Sequence, residues 1–354
     1  MIIEVISRWI ELISLVFLTG IVLTHLWVLT PAGSYPDQTA LDEQFRFSIW
    51  RPFGPLMAIM AVAATAEFLA RILNTSGSSL ISSSGLLPTV ISRTHFGRVW
   101  LIKISLLFLL AVIFLVSGRK RIQKRPALFL MLIVLMLAAI IGSVYGHPSD
   151  KGSLKFRDLN LWFHLMGAQI WGGGLLALST LVLPRIIKGP DDSKPETSPI
   201  QLAGIARRFS AMAGLGVGVM AITAVFNYLN FVGSEKALLD TPYGLTVLVK
   251  MVFFLALLNL GAFNRYASVP VLERWAGSPS GKGGFIGRIA GFFYTPITEG
   301  RTGYRMALLF KRLIRFEMLL VIILLFCAAL LSQEIPARQA LHMKQMGGTS
   351  SLFL

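Results

Sequence analysis

The chain has 354 residues, of which 55% are hydrophobic and only 14% are charged, with a formal net charge of +16. Its mean hydropathy of +0.69 lies far above the range of soluble globular proteins, so we expect a protein solvated by lipid and not a soluble enzyme. The basic residues are dispersed between apolar runs and accompany no nucleic-acid motif, so we expect no nucleic-acid partner.

Eight apolar runs approach the length of about 20 residues that a helix needs to cross a bilayer. In chain order they are residues 5–29, 53–73, 99–117, 127–145, 159–183, 209–231, 245–263 and 316–332. The runs are continuously apolar, which favours helices over the alternating strands of a membrane barrel. The first begins almost at Met1 without a basic segment before it, so we interpret it as a retained span. The predicted fold class is an all-α, polytopic transmembrane helix bundle of about eight spans.

Basic residues set the predicted orientation, because loops rich in Lys and Arg tend to stay in the cytoplasm. The connection 118–126 carries Arg119, Lys120, Arg121, Lys124 and Arg125. Placing it inside puts both termini outside the cytoplasmic membrane. The segment 264–315 then becomes a basic inner loop, and the residues after 332 form an outer tail, of which 347–351 look unstructured.

A short pattern occurs before two of the predicted spans. Thr94-His95-Phe96-Gly97 precedes the third span and Thr241-Pro242-Tyr243-Gly244 precedes the seventh, and in each case a lysine, Lys103 or Lys250, follows the glycine by six residues. This spacing is expected of two parallel four-helix repeats, although chance recurrence is the alternative. The predicted units are residues 1–146, 147–332 and an extracytoplasmic tail, 333–354.

Histidines are the strongest candidates for a metal site, since Cys327 is the sole cysteine and lies within the last span. His147 ends the fourth span, and His164 lies only ~7 to 8 Å below the start of the fifth, on the same predicted side. Imidazole binds copper in either oxidation state. The structural alternatives are a His164 that hydrogen-bonds across helices and a His147 that lies in a turn before Pro148.

Four further residues are candidate metal ligands on weaker grounds: His95, Met166, His25 and Glu67. His95 lies on the same side as His147 and His164, but Pro242 takes its place in the second copy of the pattern. Met166 offers a thioether for Cu(I), although two residues along a helix turn it about 200° from His164, which favours packing. His25 lies near the inner end of the first span.

Two groups of residues accompany these candidates. Met57 and Met60 lie near the same inner end as His25, which would suit an exit site. Glu67 belongs to a polar set within the spans that either lines an ion vestibule or pairs internally. The set also contains Glu11, Lys103, Asn227 and Lys250.

In the tail, His342, Met343 and Met346 have a spacing that could capture copper, but a chance occurrence is the favoured explanation.

Several segments together resemble the copper resistance protein D family of bacterial membrane proteins. They are Gly146-His147-Pro148, Leu161-Trp162-Phe163-His164 with Trp171-Gly172-Gly173-Gly174, Thr241 to Lys250, Asn264-Arg265-Tyr266 with Pro270, and Arg315-Phe316-Glu317, with a weaker match at Thr94-x-Phe96-Gly97. The resemblance implies copper transport or copper tolerance at the bacterial cytoplasmic membrane, with a copper ion as substrate or ligand. It also implies a separate extracytoplasmic copper-binding donor protein.

Two other functions remain open at this point. A haem-binding or redox protein needs two deep histidines at similar height, and His164 with His25 makes a poor axial pair. A copper sensor without transport has no distinguishing sequence feature. The chain has no Walker A motif, so we expect no primary pump, and inward movement of a cation is the direction that the membrane potential favours.

Overall fold

The computed structural model describes residues 2–29, 48–76, 87–121, 125–145, 156–187, 198–277, 294 and 303–350, and these contain helices and no strand. The helices are α1 Ile2–Leu23, α2 Phe53–Ser76, α3 Leu87–Arg93, α4 His95–Arg121, α5 Arg125–Tyr145, α6 Phe156–Ala177, α7 Leu183–Ile186, α8 Pro199–Phe231, α9 Glu235–Leu239, α10 Pro242–Phe263, α11 Val269–Trp275, α12 Gly303–Leu331 and α13 Ala337–Ser350. Short π-helical segments, Thr24–Leu29, Leu178–Val182 and Asn264–Ser268, continue α1, α6 and α10.

Seven helical stretches in the described residues are long and apolar enough to cross a membrane. They are Ile2–Leu29, Phe53–Asn74, His95–Ser117, Phe156–Ile186, Pro199–Phe231, Pro242–Trp275 and Gly303–Leu331. The predicted fourth span corresponds to α5, whose apolar part, Arg125–Ile141, is shorter. The prediction of an all-α polytopic bundle is therefore confirmed, and the predicted eight spans correspond to seven full-length spans and one shorter apolar helix in the described residues.

The predicted inner loop 264–315 is wrong at both of its ends. The chain continues from α10 through a π segment into α11, and α12 begins at Gly303 instead of residue 316. The first turns of α12 bury Met306, Phe310 and Ile314, which recur at helical spacing between charged residues. Basic side chains interrupted the apolar run without interrupting the amphipathic helix, which is why run length alone missed it.

The tail is also more ordered than we predicted, because α13 extends over Ala337–Ser350. Ala337 is buried against Phe231, Val232 and Tyr243, where α8 ends and α10 begins. The tail helix thus packs over this end of the bundle. His342 and Met343 on α13 are exposed.

Helices α1 and α6 form the centre of the bundle and approach each other at two glycines. A Cβ atom added to Gly20 would lie 2.0 Å from the Gly173 carbonyl oxygen, so neither position has room for a side chain. Helix α1 also packs against α2, and helix α6 also packs against α8. The glycine run in α6 therefore serves close packing, and the helix is not interrupted there.

The spacing of Gly214 and Gly218 predicts a small-residue packing face on α8, but it is Gly216 between them that closely approaches α6. A Cβ atom at Gly216 would lie 2.9 Å from the Gly167 carbonyl oxygen of α6. One added to Gly218 would meet no heavy atom within 4 Å. The small-residue pattern predicted the right helix and the wrong face.

Both Thr-x-x-Gly motifs form the same helix cap. The Thr94 hydroxyl accepts a hydrogen bond from the Gly97 N–H (2.9 Å), and the Thr241 hydroxyl accepts one from the Gly244 N–H (3.0 Å). Each hydroxyl also donates to a carbonyl of the short helix before it, α3 or α9. Matching caps are what two parallel halves require, while the boundaries 1–146 and 147–332 stay a prediction.

Candidate functional site

The described residues do not bring the predicted metal ligands into one cluster. His147 lies outside the described residues. His95 is exposed at the start of α4, whereas His25 is buried in the π segment at the far end of α1. No three His, Cys, Asp or Glu residues in the described ranges are close enough to hold a metal ion.

His164 is held in place by a neighbouring helix. Its Nδ1 atom lies 2.9 Å from the hydroxyl oxygen of Thr223 on α8. That hydroxyl lies 2.7 Å from the Val219 carbonyl and donates its own proton there, so it accepts one from Nδ1. The Nε2 atom then keeps its lone pair. The predicted cross-helix hydrogen bond is thus present, and it fixes the imidazole in the manner of histidines that bind metals through the other nitrogen.

His164 lines a cavity of about 560 Å³ between α1, α6, α8, α10 and α12. Most of the lining is apolar. The polar or charged members are Arg8, His164, Asn227, Tyr228, Tyr243, Lys250 and Ser332. Met166 does not line the cavity, as its rotation along the helix predicts, whereas Met220 and Met251 do. Spacing within one helix could not have found these two thioethers, since they come from neighbouring helices.

Lys250 brings a positive charge to this cavity. It has no hydrogen bond or salt bridge to any residue in the described part of the chain, although it lies near enough to His164 and Cys327 to interact with them electrostatically. A cation held by His164 would therefore be repelled unless an anion accompanied it.

Glu67 lies in a buried ionic cluster beside the cavity. Glu11 is its centre, with one oxygen 3.0 Å from Arg8 Nη1 and the other 2.8 Å from Lys103 Nζ. Glu67 is near enough to all three to interact electrostatically, but no nitrogen or hydroxyl donor in the described residues bonds to its carboxyl oxygens. Arg8 also lines the cavity. The internal pairing that we considered for this polar set is therefore present around Glu11 and Lys103.

The contacts of His25 with Trp50 indicate a structural role for this histidine. Trp50 Nε1 donates a hydrogen bond to His25 Nδ1 (3.3 Å), and the two ring centroids lie 5.6 Å apart. This bond occupies the lone pair that a metal would need at Nδ1. Met57 and Met60 belong to the apolar core cluster that also contains Trp50.

Two of the segments that carried the family resemblance meet in space. Asn264, which follows α10, donates a hydrogen bond to the Glu317 carboxylate of α12, and Ser268 donates to the Asn264 side-chain oxygen (3.1 Å). Glu317 is only 1% exposed. Because 53 residues separate Asn264 from Glu317 in the chain, the sequence alone did not predict this contact.

Comparisons with known proteins agree with this architecture. The family Copper resistance protein D matches residues 203–331, and the Copper resistance protein D-like, N-terminal domain matches residues 2–155. No solved structure gives a significant match.

Three curated proteins are each similar in sequence to about half of this chain. Copper transport protein CutJ of Bacillus subtilis (strain 168) is 27% identical over 51% of this chain and 32% of its own length. Copper resistance protein D of Pseudomonas syringae pv. tomato is 25% identical over 52% of the chain and 58% of its own. Inner membrane protein YebZ of Escherichia coli (strain K12) is 28% identical over 51% and 58%.

These matches cover less than two thirds of each relative, so they support kinship more strongly than a shared activity. The two family matches together cover most of the chain, one in its N-terminal part and the other in its C-terminal part. The chain belongs to the copper resistance protein D family.

Proposed function

We propose that the protein carries copper ions across the bacterial cytoplasmic membrane, inward, and so contributes to copper homeostasis or resistance. Membership of the copper resistance protein D family, with relatives named for copper transport and copper resistance, is the observation on which the proposal rests. The membrane potential favours inward movement by about 2.3 kcal/mol per charge at 100 mV.

In this proposal His164 is a ligand on the transport path. Its Nδ1–H donates a hydrogen bond to the Thr223 hydroxyl, which leaves Nε2 to bind the ion, and the side chain lines a cavity inside the bundle. His147 supplies a second imidazole from the segment that precedes α6. The thioethers of Met220 and Met251, which line the same cavity, suit Cu(I).

A separate extracytoplasmic copper-binding protein delivers the ion in this proposal. Both termini, and the helix α13, lie on that side. The exposed His342 and Met343 of α13 are not needed for uptake, because they lie outside the cavity.

Copper uptake into proteoliposomes tests the proposal. We expect wild type and the control His342→Ala to move copper, and His164→Ala and His147→Ala to lose most of that uptake. An absorbance scan for a Soret band is made on the same samples. Wild type that takes up no copper would overturn the transport proposal, and a Soret band in its place would assign the protein to the haem-binding class.

A further inference from the structure

Lys103 and Lys250 occupy the same position relative to their helix caps but have different surroundings. Each follows its cap glycine by six residues, Lys103 on α4 and Lys250 on α10. Lys103 is only 4% exposed and forms a salt bridge with Glu11 of α1. Lys250 has no hydrogen bond or salt bridge in the described residues, and its titratable neighbours are His164 of α6 and Cys327 of α12 in place of a carboxylate.

The helices around Lys250 are also further apart. Whereas α2 packs against α4, α8 makes at most marginal contact with α10. The cavity occupies this gap, and three of its lining residues, Val225, Met251 and Leu255, are 60%, 44% and 61% exposed. Exposed apolar side chains at this depth of a membrane-spanning helix face lipid, so the cavity opens sideways to the acyl chains.

An ammonium group without a counter-ion is costly inside a membrane, and such groups mark sites where a partner binds. The apolar lining suits a hydrocarbon chain, and about 560 Å³ lies within the usual range for a small-molecule pocket. The occupant that satisfies both is an anion with an apolar tail. A charge-assisted hydrogen bond from Lys250 to that anion would be stronger than a neutral one.

The depth of Lys250 decides between the head groups that a membrane offers. It lies eight residues into α10, or about 12 Å from the start of the helix. A phospholipid phosphate would have to leave the interface to reach it. A carboxylic acid can enter the apolar region uncharged, release its proton to water and then pair as a carboxylate with the Lys250 ammonium. We propose that this cavity binds a single-chain fatty acid, with its carboxylate on Lys250 and its chain leaving between α8 and α10.

Electron paramagnetic resonance of spin-labelled lipids in vesicles tests this site without measuring copper. The protein is reconstituted with spin-labelled stearic acid, phosphatidylglycerol or phosphatidylcholine, and the immobilised fraction is compared. We expect wild type to prefer stearate over phosphatidylcholine several-fold. Lys250→Met should lose that preference, while Lys250→Arg and the exposed control Lys344→Met should keep it.

A second variant keeps the test independent of the lysine. Leu255→Trp narrows the mouth of the cavity without changing its charge, and it should weaken stearate binding while Lys250 is intact. Equal binding of stearate and phosphatidylcholine by wild type, or an unchanged preference in Lys250→Met, would overturn the proposal. A Lys250-dependent preference for phosphatidylglycerol as large as that for stearate would overturn the choice of a carboxylate.

Discussion

The surroundings of Lys103 and of Lys250 show two ways in which one bundle accommodates a lysine within its spans. Lys103 shares Glu11 with Arg8, at 2.8 Å and 3.0 Å, and all three side chains are buried. Lys250 lines a cavity that opens between helices. The same cap and spacing thus position a structural ion pair in one place and a binding group in the other.

The role of a polar residue inside a membrane therefore depends on its partners. A buried pair whose charges are balanced contributes to folding, and removing one member leaves an uncompensated charge. A charged group beside a cavity can obtain its partner from outside the protein.

Glu11→Gln should be the most damaging substitution in the ionic cluster. It leaves the buried Arg8 and Lys103 without their shared carboxylate, which costs about 3 to 5 kcal/mol of folding free energy. Denaturant unfolding in detergent measures the loss. Lys250→Met, which breaks no internal bond, should change stability by less than about 1 kcal/mol. Equal losses in the two variants would show that Lys250 is also a structural group.

Gly173→Ala should separate the two central helices. The added methyl group would lie 2.3 Å from the Val16 carbonyl oxygen, so backbone has to move, at a cost of about 1 to 3 kcal/mol or more. Gly218→Ala on α8 is the matched control, since nothing lies within 4 Å of its added methyl. The control should be neutral or stabilising by up to ~1 kcal/mol. A tolerant Gly173 would contradict the close approach of α1 and α6.

Thr94→Ala and Thr241→Ala should weaken the two caps by similar amounts. Each removes a hydroxyl that accepts from a backbone N–H at the start of α4 or α10, which is worth about 1 kcal/mol. Serine at either position should retain most of the stability, because it keeps the hydroxyl. A large effect at one cap and none at the other would argue against equivalent roles for the two motifs.

Local features of the sequence predicted much of the fold. Continuous apolar runs indicated the spans, and the Thr-x-x-Gly pattern marked the starts of two of them, where the structure forms matching caps. The starts of α12 and α13 were missed, since charged residues such as Lys311 and Arg338 interrupt the hydrophobic pattern that an amphipathic helix still satisfies. The sequence placed Lys103 and Lys250 in one set of polar residues within the spans. It did not predict that Lys103 pairs with Glu11, or that Lys250 has no hydrogen bond or salt bridge in the described residues.

Those differences depend on how helices pack across the bundle. Lys250 meets no carboxylate because α12, the helix that packs against α10, brings Cys327 near it, and the cavity exists because α8 and α10 are spread apart. The bond between His164 and Thr223 likewise joins residues of two helices. A single sequence indicates which residues are costly to bury, and the packing then determines which of them bind each other.

Copper uptake should also depend weakly on the charge of Lys250, which lies near His164. If the ion passes His164, removing the nearby positive charge in Lys250→Met should raise copper uptake about two- to fivefold, on the order of 0.5 to 1 kcal/mol. Lys250→Arg keeps the charge and should behave as wild type in vesicles free of fatty acid. Added oleate should raise uptake by wild type towards the Lys250→Met level and leave that variant unchanged, because a bound carboxylate neutralises the same charge. Reduced uptake by Lys250→Met would instead place Lys250 among the groups that copper transport requires.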